Sequence, residues 1–213
     1  EISCSLVGSE MCIRDRIDSD YYDMIGIVNQ MSPNGLIGNV TERYLSAEDN
    51  YDRYFEQKSL REELIKLGYV NTKLLGIAYY DPKEQKELIG NFNVRVLDPS
   101  YQTISKVVVG AENIIQAMHT SYLGIKETPV LSVMRRVSFG NKRVLDIYAE
   151  MEPDMSVSDR LNKEKWPYTY MEMDEKGIVQ YSNNPVIVKG QKLLSELPEK
   201  EGYAAVSYTH LRA

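Results

Sequence analysis

The 213-residue chain carries a formal net charge of −6, with 25 Lys and Arg against 31 Asp and Glu. A mildly acidic chain without basic blocks is poorly suited to gripping a phosphate backbone, which sets nucleic-acid binding aside. No stretch approaches the roughly 18 consecutive apolar residues of a membrane span.

The ends come first. One codon choice for Leu6–Arg16 closely resembles a transposase adapter used in shotgun sequencing libraries, and Val206–Ala213 back-translates to its reverse complement. Residues 1–16 and 206–213 are therefore expected to be non-native, adapter-derived tails, to be set aside before reading the fold. Cys4, Cys12 and His210 go with them. The remaining segment, 17–205, has no cysteine and one histidine, His119, so neither a disulfide scaffold nor a closed zinc site can be assembled.

In "DSDYYDMIGIVNQM" (18–31), Tyr21, Met24, Ile25, Val28 and Met31 form one apolar helical stripe, with acids in the first turn where they suit the helix dipole. "SPNG" (32–35) breaks it. A second helix is expected from a Ser46 cap with Asp49 returning the bond, stopping at Gly68. Its packing side would hold Tyr51, Tyr54, Phe55, Leu60, Leu64 and Leu67.

The period then changes. "KLLGIAYYD" (73–81) and "ELIGNFNVRV" (87–96) read as an antiparallel hairpin, after which "PSYQTIS" and the short "KVVVG" (106–110) lead to a helix in "AENIIQAMHTSY". "PVLSVMRRVSF" and "KRVLDIYAEM" are strands around a Gly140-Asn141 hairpin. A short helix in "SVSDRLNKE" (156–164), a strand–turn–strand in "YTYMEMDEKGIVQYSN" and a helix in "KGQKLLSEL" complete the chain. Strands in hairpins with helices between them define an antiparallel α+β fold rather than a parallel doubly wound one.

Chemistry is sparse. His119 has no nucleophile elbow near it, and no Walker loop or GxGxxG is present, so no catalytic residue, metal or cofactor is assigned. "DSDYYD" and "EMEPD" lack the EF-hand spacing. Arg135 and Arg136 stand mid-strand, where neighbours point to opposite faces, so one must reach the covered side or rim. Such a guanidinium needs an anion; Asp146 and Glu150 as internal partners and a bound ligand are equally open readings. Sixteen tyrosines against three Phe and one Trp fit half-wet pockets, and more readily the ordinary aromatic role in strands and helices.

The ordered motifs "LGIAYYDP", "LIGNF", "PVLSVMRRV", "RVLDIYAEMEPDMSVSDRL" and "YMEMDEKGIVQYSN" resemble the extracytoplasmic double-Cache, PAS-like sensor region of bacterial sensor histidine kinases. The correspondence includes Ile147, Tyr148 and Glu150, then Asp174, Gly177, Val179, Tyr181 and Ser182. It implies a helical stalk (17–68), a membrane-distal Cache domain (69–153) and the start of a membrane-proximal one (154–205). It also implies small-molecule sensing, direct or through a ligand-loaded binding protein, without catalysis in this segment. Anchoring by membrane spans beyond the fragment, extracytoplasmic placement and a homodimer through the stalks would follow. Chemotaxis receptors and cyclic-dinucleotide enzymes use the same module, and an α+β hydrolase or transferase fragment is the reading from another class. Amino-acid-binding versions carry Arg-x-Trp-Tyr; Trp166, in "KEKWPYTY", departs from it. Within the implied distal pocket, mid-strand placement and hydrogen-bonding capacity select Tyr79, Asn91, Arg135 and Tyr148 as candidate ligand-binding residues.

Overall fold

The computed structural model describes residues 2–91, 110, 112–123, 129–140, 142–153, 171–173, 178–184, 186–192 and 206–207. Among them lie three helices, α1 (Ile2–Met31), α2 (Leu36–Ser46) and α3 (Asn50–Val70). A five-stranded sheet is built from β1 (Leu74–Asp81), β2 (Lys86–Gly90), β3 (Ile114–Thr120), β4 (Pro129–Ser138) and β5 (Val144–Met151), in the order β2-β1-β5-β4-β3. A small sheet of β6 (Met171–Met173), β7 (Val179–Ser182) and β8 (Val206–Ser207) runs β7-β6-β8. The chain divides into a larger unit, Tyr21–Gln116 with Thr120–Glu152, and a smaller one, Glu1–Asp20, Ala117–His119 and Pro153–Ala213.

In the larger unit the α1 stripe is as expected: Tyr21, Met24, Val28 and Met31 are buried, while Ile25 is only half-buried. The break at "SPNG" leads into α2, which the sequence reading missed. Its N-cap, Gly35, offers no capping side chain, so the usual start signal is absent. A Cβ on Gly38 would stand 1.8 Å from the Ser32 carbonyl oxygen, so this corner closes only around a glycine. Ser46 ends α2 rather than capping the next helix. The cap of α3 is Asp49, whose carboxylate accepts from the Asp52 N–H at 2.7 Å. The helix runs past Gly68 to Val70, where Asn71 closes it through its backbone N–H and side-chain amide, both onto the Leu67 carbonyl.

The hairpins are antiparallel, as the sequence predicts. Tyr79 pairs with Ile147 of β5, and Ile147 with Arg135 of β4; Ala78 pairs with Tyr148, and Tyr148 with Met134. Directly opposed residues share a face. One face therefore carries Ile77, Tyr79, Val133, Arg135, Ile147 and Ala149. The other carries Ala78, Tyr80, Ser132, Met134, Arg136, Asp146, Tyr148 and Glu150.

Two expectations need correction or bounding. "AENIIQAMHTSY" is not a helix but the strand β3, with His119 half-buried in it. The β4–β5 hairpin forms, but its positive φ falls on Lys142 (61°), with Phe139 N–H donating to the Arg143 carbonyl at 2.9 Å. The second half of "ELIGNFNVRV", most of "KVVVG", the helix at 156–164 and residues 193–197 lie outside the described residues.

In the smaller unit β6 and β7 form the expected antiparallel pair around Met171 and Val179, with Ile187 packed against them. The start of "KGQKLLSEL" is a turn rather than a helix: Gly190 has φ of 93°, and its N–H donates to the Val179 carbonyl at 2.8 Å. Glu172 is fully buried and accepts from the Met118 N–H at 2.9 Å. Among the described residues no helix is long and apolar enough to cross a membrane.

Candidate functional site

The four candidate residues do not converge. Tyr79 is fully buried on the face turned to the helices, its hydroxyl donating to the Met31 carbonyl at the end of α1 (2.5 Å). Burial pushes its phenol well above the ordinary tyrosine range. Arg135 lies on the same face. Its Nε donates to Asn113 Oδ1 at 2.9 Å and its guanidinium reaches Ser32 Oγ at 3.1 Å, just beyond α1. Asn91 sits at the sheet edge after β2, its Oδ1 accepting from the Ile77 N–H at 2.8 Å. Tyr148 alone of the four occupies the opposite face.

That opposite face has its own constitution. Tyr80, Leu123, Met134 and Tyr148 form a buried cluster, against which Ile114 and Tyr122 pack half-exposed. The Tyr122 and Tyr148 rings lie 6.2 Å apart between centroids, tilted by 31°. Around this apolar floor the polar groups answer one another. Arg136 grips Asp146 through two bonds, Nε to Oδ1 at 2.6 Å and Nη2 to Oδ2 at 2.8 Å. This settles the choice between the two arginines: Asp146 serves Arg136, and Arg135 turns to the helices.

Glu150, fully buried, is not an ion-pair partner for either. It accepts from the Tyr148 hydroxyl at 2.7 Å, the Ser121 hydroxyl at 2.5 Å, and the Tyr122 and Leu123 N–H groups at 2.6 and 3.3 Å. Burial pushes its carboxyl above the usual range, against the pull of those four bonds. Beside them Gln116 accepts weakly from the Tyr122 hydroxyl at 3.4 Å, while its buried Nε2 has no partner among the described residues. A buried amide donor left unpaired costs free energy unless something binds it.

Sequence reasoning missed Tyr80, Gln116, Tyr122 and Glu150 as members of this face. Alternation along β5 could have grouped Glu150 and Asp146 with Tyr148. Choosing Tyr80 over Tyr79 required the inter-strand register, and Gln116 required β3 to be read as a strand.

Two other features bear on chemistry. Glu87 on β2 is half-buried, its carboxyl raised by that burial to about 7, with Arg61 pulling the other way. An open groove of about 580 Å³ between α2 and α3 is lined by Arg43, Ala47, Tyr51, Asp52, Phe55 and Glu56. Tyr51, Tyr54 and Phe55, expected on the packing side of α3, are 71%, 63% and 48% exposed, and only Leu60, Leu64 and Leu67 face inward. No cluster of His, Cys, Asp and Glu among the described residues is placed to hold a metal ion.

The chain has the fold of the ligand-binding domain of Mlp24, solved with asparagine: TM-score 0.51 at 13% identity, covering 94% of this chain and 79% of that one. It is also similar to the V. cholerae histidine kinase DctB sensor domain (TM-score 0.49, 12% identity, covering 88% of this chain and 70% of that one). A third similar structure is the extracellular domain of the putative histidine kinase rpHK1S-Z16 (TM-score 0.47, 15% identity, 89% and 76%). No protein-family model and no curated protein matches the chain.

Proposed function

We propose that this chain is the extracytoplasmic small-molecule sensing region of a membrane-anchored sensor histidine kinase, and that the ligand meets the sheet face carrying Tyr80, Tyr122 and Tyr148. The observation that carries this reading is the buried Gln116 Nε2, without a partner among the described residues, at the margin of a tyrosine-walled, apolar floor. An aromatic surface with one or two unspent polar groups is what a small-ligand site needs. Of the original candidates Tyr148 belongs to this site. Tyr79 and Arg135 instead join the sheet to the end of α1, where a ligand-dependent shift of the strands would be passed to the stalk. Such a shift occurs only if ligand binds one arrangement more tightly than the other. Membrane anchoring, dimerisation through the stalks and delivery of ligand by a binding protein belong to the same reading; a chemoreceptor would use the fold identically.

The hydrolase alternative needs two carboxyls working together. The two raised glutamates stand apart: Glu87 opposes Tyr80 and Glu150 opposes Gly76, on strands either side of β1. Four residues along a strand and two strand spacings put their backbones about 16 Å apart, and the Glu150 carboxylate is engaged by Ser121, Tyr122, Leu123 and Tyr148 rather than by Glu87. We therefore assign no catalysis to this segment.

The test is a thermal-shift screen of small polar metabolites, with asparagine as the first probe. A hit should lose its stabilising effect in Gln116→Leu and keep it in Arg135→Met. The reverse pattern would place the site on the helix-facing side and refute this assignment.

A further inference from the structure

We propose that Glu150 is a latch: its ionised carboxylate fastens the turn Ser121–Leu123 to the sheet, and protonating that carboxylate loosens the turn. The geometry carries the argument. Three of its four donors come from this turn, which follows β3, and they meet a carboxylate 27 to 29 residues later in the chain. The fourth, the Tyr148 hydroxyl, binds the same Oε1 as the two backbone N–H groups.

An ionised carboxylate offers acceptor positions and no donor, which suits four donors. A protonated one must donate from one oxygen; on Oε2 that proton goes to the Ser121 hydroxyl, which can rotate to accept it. Oε1 is then a neutral carbonyl oxygen shared by three donors without charge assistance: the Tyr148 hydroxyl can turn away, the N–H groups of Tyr122 and Leu123 cannot. Protonation therefore weakens the backbone attachment of the turn.

Among the described residues the neighbouring groups leave this titration to Glu150 itself. Its partners across the sheet are Gly76 of β1 and Ser132 of β4, neither charged. Arg136 of β4 and Asp146 of β5 share the face but bind each other. β1 also presents Tyr80, β5 Tyr148, the turn Tyr122, and β3 the uncharged Gln116. Because burial raises the Glu150 carboxyl, loosening falls at a higher pH than an ordinary glutamate would give.

What the turn carries gives loosening a consequence. Tyr122 packs against Tyr148 and reaches Gln116, so loosening the turn unsettles one wall of the proposed ligand face. That regulatory use rests on the sensing reading; the latch does not, and it can be tested without ligand.

The experiment is amide hydrogen exchange on the whole chain from about pH 4 to pH 8, expressed as protection relative to the intrinsic rate at each pH. Protection at Tyr122 and Leu123 should fall about tenfold or more on acidification while β1 and β5 hold theirs. Glu150→Gln should show low protection at these two amides throughout, with no step. Should that variant fail to fold, Ser121→Ala serves instead: removing one bond to the anion should move the step to higher pH. A pH-independent protection in the wild type, a step that survives Glu150→Gln, or an unmoved midpoint in Ser121→Ala overturns the latch.

Discussion

Asp146→Ala tests how much of the sheet's stability rests on the Arg136–Asp146 pair. The two bonds are 2.6 and 2.8 Å long, with side-chain exposures of 12% for Arg136 and 0% for Asp146, so water screens the pair little. Removing the carboxylate strips a mostly buried guanidinium of a bidentate partner, a change that costs about 3–5 kcal/mol in buried pairs. Arg136 keeps other interactions, which places the expected loss near the lower end, about 3 kcal/mol. Asp146→Asn retains one acceptor and should lose about 2 kcal/mol, the worth of one charge-assisted bond. Replacing both residues, Arg136→Met with Asp146→Leu, should cost less than either single change, because no charge is then left buried. Urea unfolding followed by tyrosine near-UV dichroism, with the four members of the cycle at common slope, measures all of this. The losses should hardly change between low and high salt. A single-variant cost below about 1 kcal/mol, or one that vanishes in salt, would show the pair behaving as a surface one and refute the reasoning.

Glu87 predicts a pH dependence with a definite sign. Its folded carboxyl titrates at about 7 against an ordinary 4.5, so the folded state binds the proton more tightly. The contribution is complete below the lower value and is lost as pH rises to the upper one. Glu87→Gln should flatten that slope and, for a half-buried group, exceed the wild type by on the order of 1–2 kcal/mol above pH 7; parallel slopes in both proteins would exclude Glu87 as the source. Gly38→Ala drives a methyl into backbone at the Ser32 carbonyl and should cost about 3 kcal/mol or more, read as a lowered urea midpoint. A neutral result would mean that the α1–α2 corner opens without penalty.

How far the fold was legible follows from what each element needed. β1, β4 and β5 announce themselves because a central strand buried on both faces reads as a near-continuous apolar run, as "LLGIAYYD" and "VLDIYAEM" do. β3 does not: as the last strand in the sheet order it is half-buried through most of its length. Ile114, Ile115 and Met118 then mimic a helical spacing that only pairing with a neighbour overrides. α2 hides behind a glycine cap. In α3 hydrophobicity alone places the aromatic half inward, although exposed aromatics are compatible with a helix whose burial comes from Leu60, Leu64 and Leu67. The candidate site was legible only as a set of strands. Which of Tyr79 and Tyr80, or of Arg135 and Arg136, shares a face with Tyr148 is a matter of register, and no local pattern encodes it.

The two faces differ in how their polar groups are satisfied, and that difference argues for a division of labour. On the helix side, Tyr79 and Arg135 end on the Met31 carbonyl and the Ser32 hydroxyl, so strands and α1 are joined by directional bonds as well as apolar packing. A donor and a cation at a helix C-terminus also suit the partial negative charge there. On the far side the bonds among the described residues run within the sheet and its turn, Arg136 to Asp146 and Glu150 to Ser121, Tyr122, Leu123 and Tyr148. Tyr79 and Tyr80, Arg135 and Arg136, and Ile147 and Tyr148 are sequence neighbours pointing to opposite faces. Three adjacent strands therefore hold, in single peptide steps, the residues that would meet a ligand and those that grip α1. A strand is stiff along its own peptide plane, so displacing Tyr148 or Tyr80 without moving Ile147 or Tyr79 would require local dihedral strain. The arrangement favours concerted movement of the strands over independent motion of the two faces, which is the mechanical property a sensing sheet requires.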